Sequence, residues 1–449
     1  MKFSRFNIVA RTENGNCLLS NSVTGAVCLI SNEKYKTVKS SLNCNEDNEE
    51  LQLLIRDLRK GGFIIDDEID EASRVKYLAN YDAYKGDHLN LIILPTEQCN
   101  FRCAYCYESF QKGEMSEEIR KRIKQLVEKK APLLKRLSVG WFGGEPLMAY
   151  DTIMDLSHAF LETKKTFGLQ YDSHITTNGY LLDRKMMLQL LSVDIRRIQV
   201  TIDGFREEHD RRRKLTHGGE TFDVLATNIK TAKELDEKFQ FTVRVNFDND
   251  NVNGVPQLLD LLKEIFKEDR RFGVFFRPIG NFGGINGEIN KLNLASREDN
   301  IPIQLTLEEQ ALARGLKVNE GFKAPSLQSY LCYAAQPNSF VVGSDGSLYK
   351  CTVYFNNDVN KIGYVDKEGN LKTNLGKMAQ WVGYKGDEDP VCKRCSLLPS
   401  CYAAACPAAR LMSKTRPCPM KVSEVKEGLR FLYNSYHDNG KEVKYDVSE

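Results

Sequence analysis

Three cysteines lie within eight residues of one another, at Cys99, Cys103 and Cys106. Cysteine thiolates are the standard ligands of iron–sulfur clusters. Three thiolates hold three irons of a [4Fe–4S] cluster and leave the fourth iron without a protein ligand. An open position of this kind separates reactive metal centres from structural ones. The spacing C-x3-C-x2-C therefore favours a cluster with an open iron over the alternatives, a zinc knuckle or a chance grouping.

Seven more cysteines lie toward the end of the chain. They are Cys332, Cys351, Cys392, Cys395, Cys401, Cys406 and Cys418. No cysteine lies between residues 107 and 331, and a disulfide scaffold would not normally leave such a gap. In a reducing compartment, clustered cysteines indicate metal ligands. Their C-x2-C spacing alone also fits a pair of zinc ribbons.

The composition is that of an ordinary globular protein, with 41% hydrophobic and 28% charged residues. The formal net charge of +2 implies no general attraction to nucleic acid or to an anionic membrane. The sequence has no signal peptide pattern and no apolar run of the roughly 18 residues that a membrane span needs. We therefore expect a cytoplasmic protein with no nucleic-acid or membrane partner. Cys17, Cys28 and Cys44 are expected to be small buried hydrophobic residues.

The segment 86–280 alternates apolar strand patterns with helical patterns. The strand patterns cover residues 89–96, 137–144, 171–178, 197–204, 241–248 and 272–280. The helical patterns cover residues 116–131, 151–167, 183–192, 222–236 and 255–268. Six such units argue for parallel strands covered by helices, so we predict an α/β fold with a partial or full β/α barrel. The chemistry of such barrels lies at the carboxyl ends of the strands. The three-cysteine motif, GGEP (143–146), TTNG (176–179) and TIDG (201–204) follow the first four strands in order.

The flanking segments have other patterns. Residues 1–85 combine short alternating strands, helical patterns at 32–41 and 48–60 and a strand or wing, which predicts a compact winged-helix-like module. Residues 281–330 are rich in Gly and Asn and weakly periodic, so we predict a bridging region or mobile loop. Residues 331–420 form the predicted cysteine-rich domain. Residues 421–449 are predicted to be a helix, at about 422–436, and a tail.

The three-cysteine motif at the end of the first strand, with the aromatic Tyr105 between its last two cysteines, resembles the radical S-adenosylmethionine (SAM) superfamily. The resemblance implies a partial (β/α)6 barrel in which the open iron chelates SAM, and an electron from the cluster cleaves SAM to a 5′-deoxyadenosyl radical. HDRRR (209–213) is similar to the family's H-D-x-x-R. The resemblance assigns SAM binding to Gly143, Gly144, Glu145, Pro146, Asn178, Asp203, Arg213 and Asn246.

The later cysteines resemble the SPASM extension of radical SAM enzymes, which carries two auxiliary [4Fe–4S] clusters. The resemblance implies three [4Fe–4S] clusters in all. It assigns the outer auxiliary cluster to Cys392, Cys395, Cys401 and Cys418. It assigns the inner one to Cys332, Cys351 and Cys406, which leaves that cluster one ligand short. One departure is the four residues between Cys401 and Cys406, where the family usually has three.

The N-terminal module resembles the precursor-recognition element of enzymes that modify ribosomally made peptides. Such an element binds a leader peptide as an added strand. The partners implied are a precursor peptide with an N-terminal leader and an external electron donor of the flavodoxin or ferredoxin type. The whole pattern resembles a radical SAM/SPASM peptide maturase that forms thioether links, because the short inner ligand set offers a place for an acceptor sulfur.

Other functions fit parts of the sequence. A carbon–carbon peptide cyclase is the alternative within the class. An anaerobic sulfatase-maturing enzyme is disfavoured because Thr352 stands where those enzymes carry an Asp base. A non-catalytic iron–sulfur or zinc regulator with a DNA-binding winged helix would need a basic stripe, which residues 1–60 lack. The sequence identifies no general base.

Overall fold

The structure is a computed structural model, and it forms two compact units. The residues it describes are 1–42, 48–283, 288–319, 321–328, 332–383, 389–401, 406–413, 416, 418 and 420–437. The first unit combines residues 1–85 with residues 322–337 and with the chain from 379 onward. The second unit combines residues 86–321 with residues 338–378. The five-domain division made from the sequence stays a prediction.

The N-terminal part of the first unit is built on a small antiparallel sheet. Its strands and helices are β1 (Lys2–Phe3), β2 (Asn7–Arg11), β3 (Cys17–Asn21), β4 (Val27–Ile30), α1 (Asn32–Ser41), α2 (Glu49–Lys60), β5 (Ile64–Ile65) and α3 (Glu71–Ala83). Strands β2, β3 and β4 pair antiparallel in that order, and β1 pairs antiparallel with β5. Ser31, Asn48 and Asp70 cap the three helices with their side chains. The predicted sheet and the two predicted helices are therefore present.

The N-terminal cysteines differ in burial. Cys17 is fully buried in the core that β3 and α2 share, and Cys28 is half-buried beside it on β4. Burial and the neighbouring Cys17 raise the pKa of Cys28 to about 12. Cys17 thus behaves as the small buried residue expected, whereas Cys44 lies outside the described residues.

The second unit is a sheet of parallel strands alternating with helices. Its first elements are β6 (His88–Ile93), β7 (Phe101–Cys103), α4 (Glu117–Lys130), β8 (Arg136–Trp141), α5 (Tyr150–Phe167), β9 (Gln170–Thr177), α6 (Arg184–Ser192), β10 (Ile195–Thr201), α7 (Arg206–Arg212), β11 (Arg213–Leu215), α8 (Phe222–Lys233), β12 (Gln240–Phe247), α9 (Val255–Phe266) and β13 (Phe272–Pro278). Strands β6, β8, β9, β10, β12 and β13 lie side by side in chain order, all parallel. The six predicted β/α strands are confirmed.

The two faces of this sheet differ in polarity, because successive strand residues point to opposite faces. One face carries fully buried apolar side chains, among them Leu91, Val139 and Val243. The registered positions on the other face carry polar side chains such as His174 and Arg244. Apolar helix faces, such as Leu258, Leu259 and Leu262 of α9, are fully buried as well. The strands consequently present polar side chains on the face that the helices leave open.

Later residues extend this sheet. The elements are α10 (Arg297–Ala313), β14 (Ser339–Val342), β15 (Ser347–Tyr349), β16 (Lys361–Val365), β17 (Leu371–Thr373) and α11 (Leu375–Val382). Strand β14 adds parallel to β6, and β15, β16 and β17 continue antiparallel. The interpretation of 281–330 as a loop is wrong for α10, a 17-residue helix capped by Ser296. Pro302 lies inside it, and proline usually marks a helix end.

Four helices complete the described part of the first unit. They are α12 (Pro390–Arg394), α13 (Leu398–Cys401), α14 (Pro407–Ser413) and α15 (Val422–His437). Val425 and Leu429 of α15 pack in a common core with Ile8 and Ala10 of β2. The predicted final helix is therefore present, and it covers the small N-terminal sheet. None of the helices in the described ranges combines the length and the apolar character that crossing a membrane requires.

Candidate functional site

Residues 94–110, which we call the cysteine loop, connect β6 to the segment before α4 and carry the first three cysteines. Within the loop, β7 pairs antiparallel with β11, so that Cys103 lies opposite Arg213. The backbone N–H of Ala104 donates to the carbonyl of Arg212 at 2.9 Å. Burial raises the pKa of the Cys99 thiol to about 12, with smaller contributions from Glu145 and Cys103. Because clusters bind thiolates, loading this site releases protons.

Tyr105 fixes the middle of the cysteine loop. Its hydroxyl donates to Asp203 Oδ2 and accepts from Arg213 Nη1 at 2.6 Å and from Asn246 Nδ2 at 3.1 Å. Asp203 follows β10, Arg213 begins β11 and Asn246 lies near the end of β12. The structure thus brings together three of the residues that the resemblance assigns to SAM, and what they contact here is the loop's own tyrosine.

Two buried polar atoms of this group have no hydrogen-bond partner in the described part of the chain. They are Asp203 Oδ1 and Arg213 Nε. Asp203 is fully buried, and its other oxygen lies 3.9 Å from Arg213 Nη1. An unsatisfied acceptor beside an unsatisfied donor is costly unless a ligand completes both. A ribose hydroxyl suits the first and a carboxylate suits the second, so these residues fit SAM.

The glycines of GGEP pack against the cysteine loop itself. A Cβ atom on Gly143 would lie 2.4 Å from the carbonyl oxygen of Thr96, and one on Gly144 would lie 2.2 Å from that of Gln98. Gly143 also has φ of +115°, which side chains disfavour. The backbone N–H of Glu145 donates to Gln98 at 2.8 Å. The close approach seen is therefore between two segments of the chain.

Glu145 is fully buried and already holds three donors. It accepts from the N–H of Leu147 at 3.0 Å, the hydroxyl of Thr177 at 2.7 Å and the N–H of Asn178 at 2.7 Å. Burial raises its pKa, and these hydrogen bonds oppose that rise. A carboxylate offers about four lone-pair sites, so one remains for a ligand ammonium. Pro146 begins the short 3₁₀ helix Pro146–Ala149.

Asn178 links the end of β9 to the cysteine loop. Its Nδ2 donates to Asn100 Oδ1 at 2.7 Å and lies 3.9 Å from Cys99 Sγ. Its backbone N–H is the donor to Glu145 described above. Asn178 therefore joins the GGEP segment to the first cysteine, a role that its position at a strand end did not reveal.

Sequence reasoning missed several supports of the site. His209 Nδ1 accepts from the N–H of Asp203 at 3.2 Å, and its Nε2 lies 3.1 Å from Thr221 Oγ1. Burial lowers the pKa of His209 well below its usual value, which suits a neutral ring that accepts at Nδ1. Arg212 forms a buried ion pair with Asp248, in which Nη2 of the arginine donates to Oδ1 at 2.8 Å and to Oδ2 at 3.0 Å. The HDRRR motif could have indicated His209. No sequence pattern indicated Asp248, because it lies 36 residues from its partner Arg212.

Cys392, Cys395, Cys401 and Cys418 all line one cavity of about 290 Å³ in the first unit. These are the four residues that the resemblance assigns to the outer auxiliary cluster. Leu397, Leu398 and Met420 contribute to the wall, and the Arg410 guanidinium lies 4.0 Å from Cys392 Sγ. Four thiols around a mainly apolar cavity whose lining also includes Lys323 and Arg410 fit a closed, anionic metal–thiolate centre.

The inner-cluster cysteines fall in both units. Cys332 and Cys406 belong to the first unit and Cys351 to the second. Cys351 is buried just after β15, where Asn360 Oδ1 accepts from its N–H at 2.8 Å and Asn360 Nδ2 donates to its carbonyl at 2.8 Å. The ligand role of these three cysteines stays a prediction.

Among the residues with described positions, no three Cys, His, Asp or Glu side chains converge on a single metal-ion position. A cubane has a different ligand arrangement, because each thiolate binds a different iron.

Residues 93–262 match the sequence profile of the Radical SAM superfamily. This segment is a radical SAM domain. The domain implies a [4Fe–4S] cluster and SAM, and the assignment of the cluster to the three cysteines of the cysteine loop stays a prediction. The cysteine-rich C-terminal part of the chain is consistent with further iron–sulfur centres, whose number stays a prediction.

Curated relatives have diverse activities. Fe-coproporphyrin III synthase of Methanosarcina barkeri is 29% identical over 174 residues, which are 38% of this chain and 39% of that protein. GTP 3',8-cyclase of Clostridium botulinum is 27% identical over 295 residues, 64% of this chain and 87% of that protein. Radical SAM cyclopropyl synthase TigE of Paramaledivibacter caminithermalis is 26% identical over 318 residues, 59% of this chain and 64% of that protein. The chain thus spans well under half of the first of these relatives.

Solved structures share the fold. Streptococcus suis SuiB bound to precursor peptide SuiA has a TM-score of 0.55 and 14% identity, covering 94% of this chain and 99% of that one. Native anSMEcpe with bound AdoMet and Cp18Cys peptide has a TM-score of 0.55 and 20% identity, covering 78% of this chain and 97% of that one. At these identities the likeness establishes the fold, a mixed α/β architecture with a mainly parallel central sheet. The profile match therefore assigns a radical SAM domain to residues 93–262, and the solved structures add the fold alone.

Proposed function

We propose that the chain forms thioether links, from a cysteine sulfur to a carbon, in a ribosomally made precursor peptide. The observation that carries the radical chemistry is the cysteine loop, whose half-buried Tyr105 is hydrogen-bonded to Asp203, Arg213 and Asn246. Three cysteines on a loop that these hydrogen bonds fix in place suit a [4Fe–4S] cluster with one open iron. Two of the anchoring residues, Asp203 and Asn246, lie at the carboxyl ends of barrel strands, where barrel enzymes place their chemistry.

In this proposal Cys99, Cys103 and Cys106 hold the first cluster. Glu145 accepts from the SAM ammonium with its remaining lone pair, and Asp203 Oδ1 accepts from a ribose hydroxyl. When bound, the cluster and SAM supply the one-electron chemistry that removes a hydrogen atom from the substrate. The chain's own residues position these groups, because burial of Glu145 and Asp203 orients both carboxylates before the ligand arrives.

The peptide substrate is supported by the N-terminal sheet. Strand β4 ends the order β2-β3-β4, whereas the opposite end, β2, is packed against α15. The side chain of Arg430 on α15 even donates to the carbonyl of Arg11 on β2, at 2.9 Å. A leader peptide that adds as a strand therefore has β4 as its edge. The structure of SuiB bound to precursor peptide SuiA shares the fold over 94% of this chain.

The auxiliary cysteines support the thioether product. The cavity lined by Cys392, Cys395, Cys401 and Cys418 has enough ligands for a closed cluster. Cys332, Cys351 and Cys406 would leave one iron of an inner cluster for a substrate thiolate. A carbon–carbon cyclase is the second candidate, because the cyclopropyl synthase among the relatives is named for a carbon ring. An electron donor of the flavodoxin or ferredoxin type completes the proposal.

The test uses the full chain, reconstituted with iron and sulfide without oxygen and supplied with SAM, dithionite and the peptide encoded beside its gene. We expect 5′-deoxyadenosine from the parent protein and none from Cys99→Ala. Cys17→Ala is the matched control, since Cys17 is a buried cysteine on β3, the central strand of the N-terminal sheet, and not on the β4 edge. If the parent protein forms no 5′-deoxyadenosine, the proposed radical chemistry is wrong.

The peptide product separates the two candidates. A thioether removes two hydrogens and makes one cysteine resistant to alkylation by iodoacetamide. A carbon–carbon link removes two hydrogens and leaves every cysteine reactive, which would overturn the thioether proposal while keeping the radical enzyme.

A further inference from the structure

Two arginines lie on the polar face of the barrel sheet, next to the cysteine loop. Arg244 is on β12 and Arg277 on β13, and the register pairs Asn246 with Arg277. Parallel partners point to the same face, so Arg244, Asn246 and Arg277 share it. Arg244 Nε donates to Asn246 Oδ1 at 2.8 Å, and Asn246 in turn donates to Tyr105. Two hydrogen bonds thus connect Arg244 to the residue that holds the three-cysteine motif.

In the part of the chain that the structure describes, neither arginine of this pair has a direct carboxylate partner, and Asp203 attracts Arg244 only at longer range. Nearby arginines have carboxylates, since Arg212 pairs with Asp248 and Arg213 with Asp203. Within the described ranges, no carboxylate lies within 4.0 Å of the guanidinium of Arg244 or Arg277. Burial lowers the pKa of Arg244, and the like charge of Arg277 lowers it further. Two guanidinium groups on the same face of a sheet, with no carboxylate in direct contact, are costly to hold together, and a bound anion reduces that cost.

A ligand can reach the pair. Arg277 is exposed and Arg244 is half-buried. Tyr107 of the cysteine loop lies within electrostatic range of Arg244. Its ring contacts Phe282 edge-to-face, with 6.1 Å between ring centroids, and Phe282 contacts Tyr354 at 6.3 Å. Phe282 is 46% exposed. A group that enters here meets two cations beside an aromatic wall.

We propose that Arg244 and Arg277 bind a carboxylate of the peptide substrate and place an acidic residue next to the site of hydrogen abstraction. This inference rests on the proposed function, because it takes a peptide as the substrate. Guanidinium groups bind carboxylates through paired hydrogen bonds, in a geometry that ammonium groups do not offer. The pair would therefore select peptides that carry Asp, Glu or a C-terminal carboxylate at this point.

The charge count favours a carboxylate over a nucleotide phosphate. The group contains the cations Arg213, Arg244 and Arg277 against the single carboxylate of Asp203. A carboxylate brings one negative charge, which the two unpaired arginines can neutralise. A nucleoside triphosphate brings about four, more than this group balances without further cations or a metal ion. GTP is nonetheless the informative competitor, given the cyclases among the relatives.

The experiment measures binding to the reconstituted full chain with SAM present, by ligand-observed NMR. The probes are N-acetylglutamate N-methylamide and its neutral partner N-acetylglutamine N-methylamide, and GTP serves as competitor. We expect the acid to bind at least fivefold more tightly than the amide. Arg277→Gln should weaken acid binding roughly tenfold, the loss of one charged hydrogen-bonded contact. Arg136→Gln is the control, since Arg136 is an exposed arginine at the opposite, amino end of β8, and it should leave acid binding unchanged.

Several results would overturn the inference. They are equal binding of the acid and the amide, equal binding by the parent protein and Arg277→Gln, and tight GTP binding that displaces the acid. A parallel loss of SAM affinity in Arg277→Gln would also overturn it, because the pair would then serve the cofactor. Since binding is read without turnover, these outcomes differ from a failure of the proposed function, which appears as absent 5′-deoxyadenosine.

Discussion

Replacing Tyr105 with Phe isolates the contribution of one hydroxyl to the cysteine loop. The ring volume is kept, so packing changes little, while three hydrogen bonds are lost, to Asp203, Arg213 and Asn246. Asp203 is 0% exposed and Arg213 5%, so water cannot replace the missing partner easily. We expect Tyr105→Phe to lower stability and to loosen the loop.

The magnitude follows from the partners. Hydrogen bonds to charged groups contribute ~1.5–3 kcal/mol each, and a buried polar group left alone costs ~1–3 kcal/mol. The ion pair between Asp203 and Arg213, at 3.9 Å, persists and offsets part of this loss. We therefore expect the free energy of unfolding of the second unit to fall by about 2–4 kcal/mol.

Urea denaturation followed by tryptophan fluorescence measures this change. Trp141 is fully buried on β8 in the same unit, and a Trp381→Phe background makes it the sole reporter, since the chain has 2 tryptophans. Tyr364→Phe is the matched control, because Tyr364 is 54% exposed on β16, and it should change stability by less than ~0.5 kcal/mol. Iron release to a chelator should also be faster in Tyr105→Phe. If Tyr105→Phe matches Tyr364→Phe in both measurements, the hydroxyl does not anchor the loop.

Two further substitutions test other parts of the barrel. Gly144→Ala would place a Cβ atom 2.2 Å from the backbone oxygen of Gln98, so we expect this variant to incorporate little iron. The control is Gly113→Ala, whose Cβ atom would meet nothing within 4 Å. Equal iron content in the two variants would contradict this reasoning. Burial lowers the pKa of His174 from 6.5 to about 4. Between these pH values the unfolded chain binds a proton at this histidine and the folded chain does not, so the free energy of unfolding should fall as the pH drops from 6.5 to about 4. Urea midpoints across that range should fall less in His174→Gln than in the control His158→Gln, and identical pH profiles would refute the assignment.

The barrel was predictable because its signals are local. Each strand is a short apolar run between helical patterns, and the parallel arrangement follows from that alternation. The strand predicted at 241–248 is observed at Gln240–Phe247, for example. The helix Arg297–Ala313 was not predictable in the same way, because Pro302 and the polar residues around it erase the apolar periodicity. Its stability comes from packing against β13, where Ala311 and Leu307 are buried.

The sequence indicated candidate site residues and their places at the strand ends, but it did not indicate the contacts that they make. Position at the strand ends indicated Asn178, Asp203 and Asn246, because barrel chemistry lies there. That Asp203 and Asn246 meet on Tyr105 depends on side chains 98 and 141 residues away from it, which no local pattern encodes. The glycines of GGEP were read as an approach to a ligand, and the structure has them against the backbone of the cysteine loop.

Glu145 and Asp203 each have contacts within the chain and also an oxygen site that a ligand could use, and a sequence motif does not distinguish these two roles. Glu145 caps the short helix after it and binds the N–H of Asn178, yet it keeps one lone-pair site for a ligand. Asp203 holds Tyr105 with one oxygen and leaves the other without a partner in the described residues. Asp203 contacts the cysteine loop directly through Tyr105, whereas the Glu145 carboxylate reaches it through Asn178, which donates to Asn100. In the proposed function the same buried groups would then position both the cluster ligands and the SAM contacts, so that a shift in one would disturb the other.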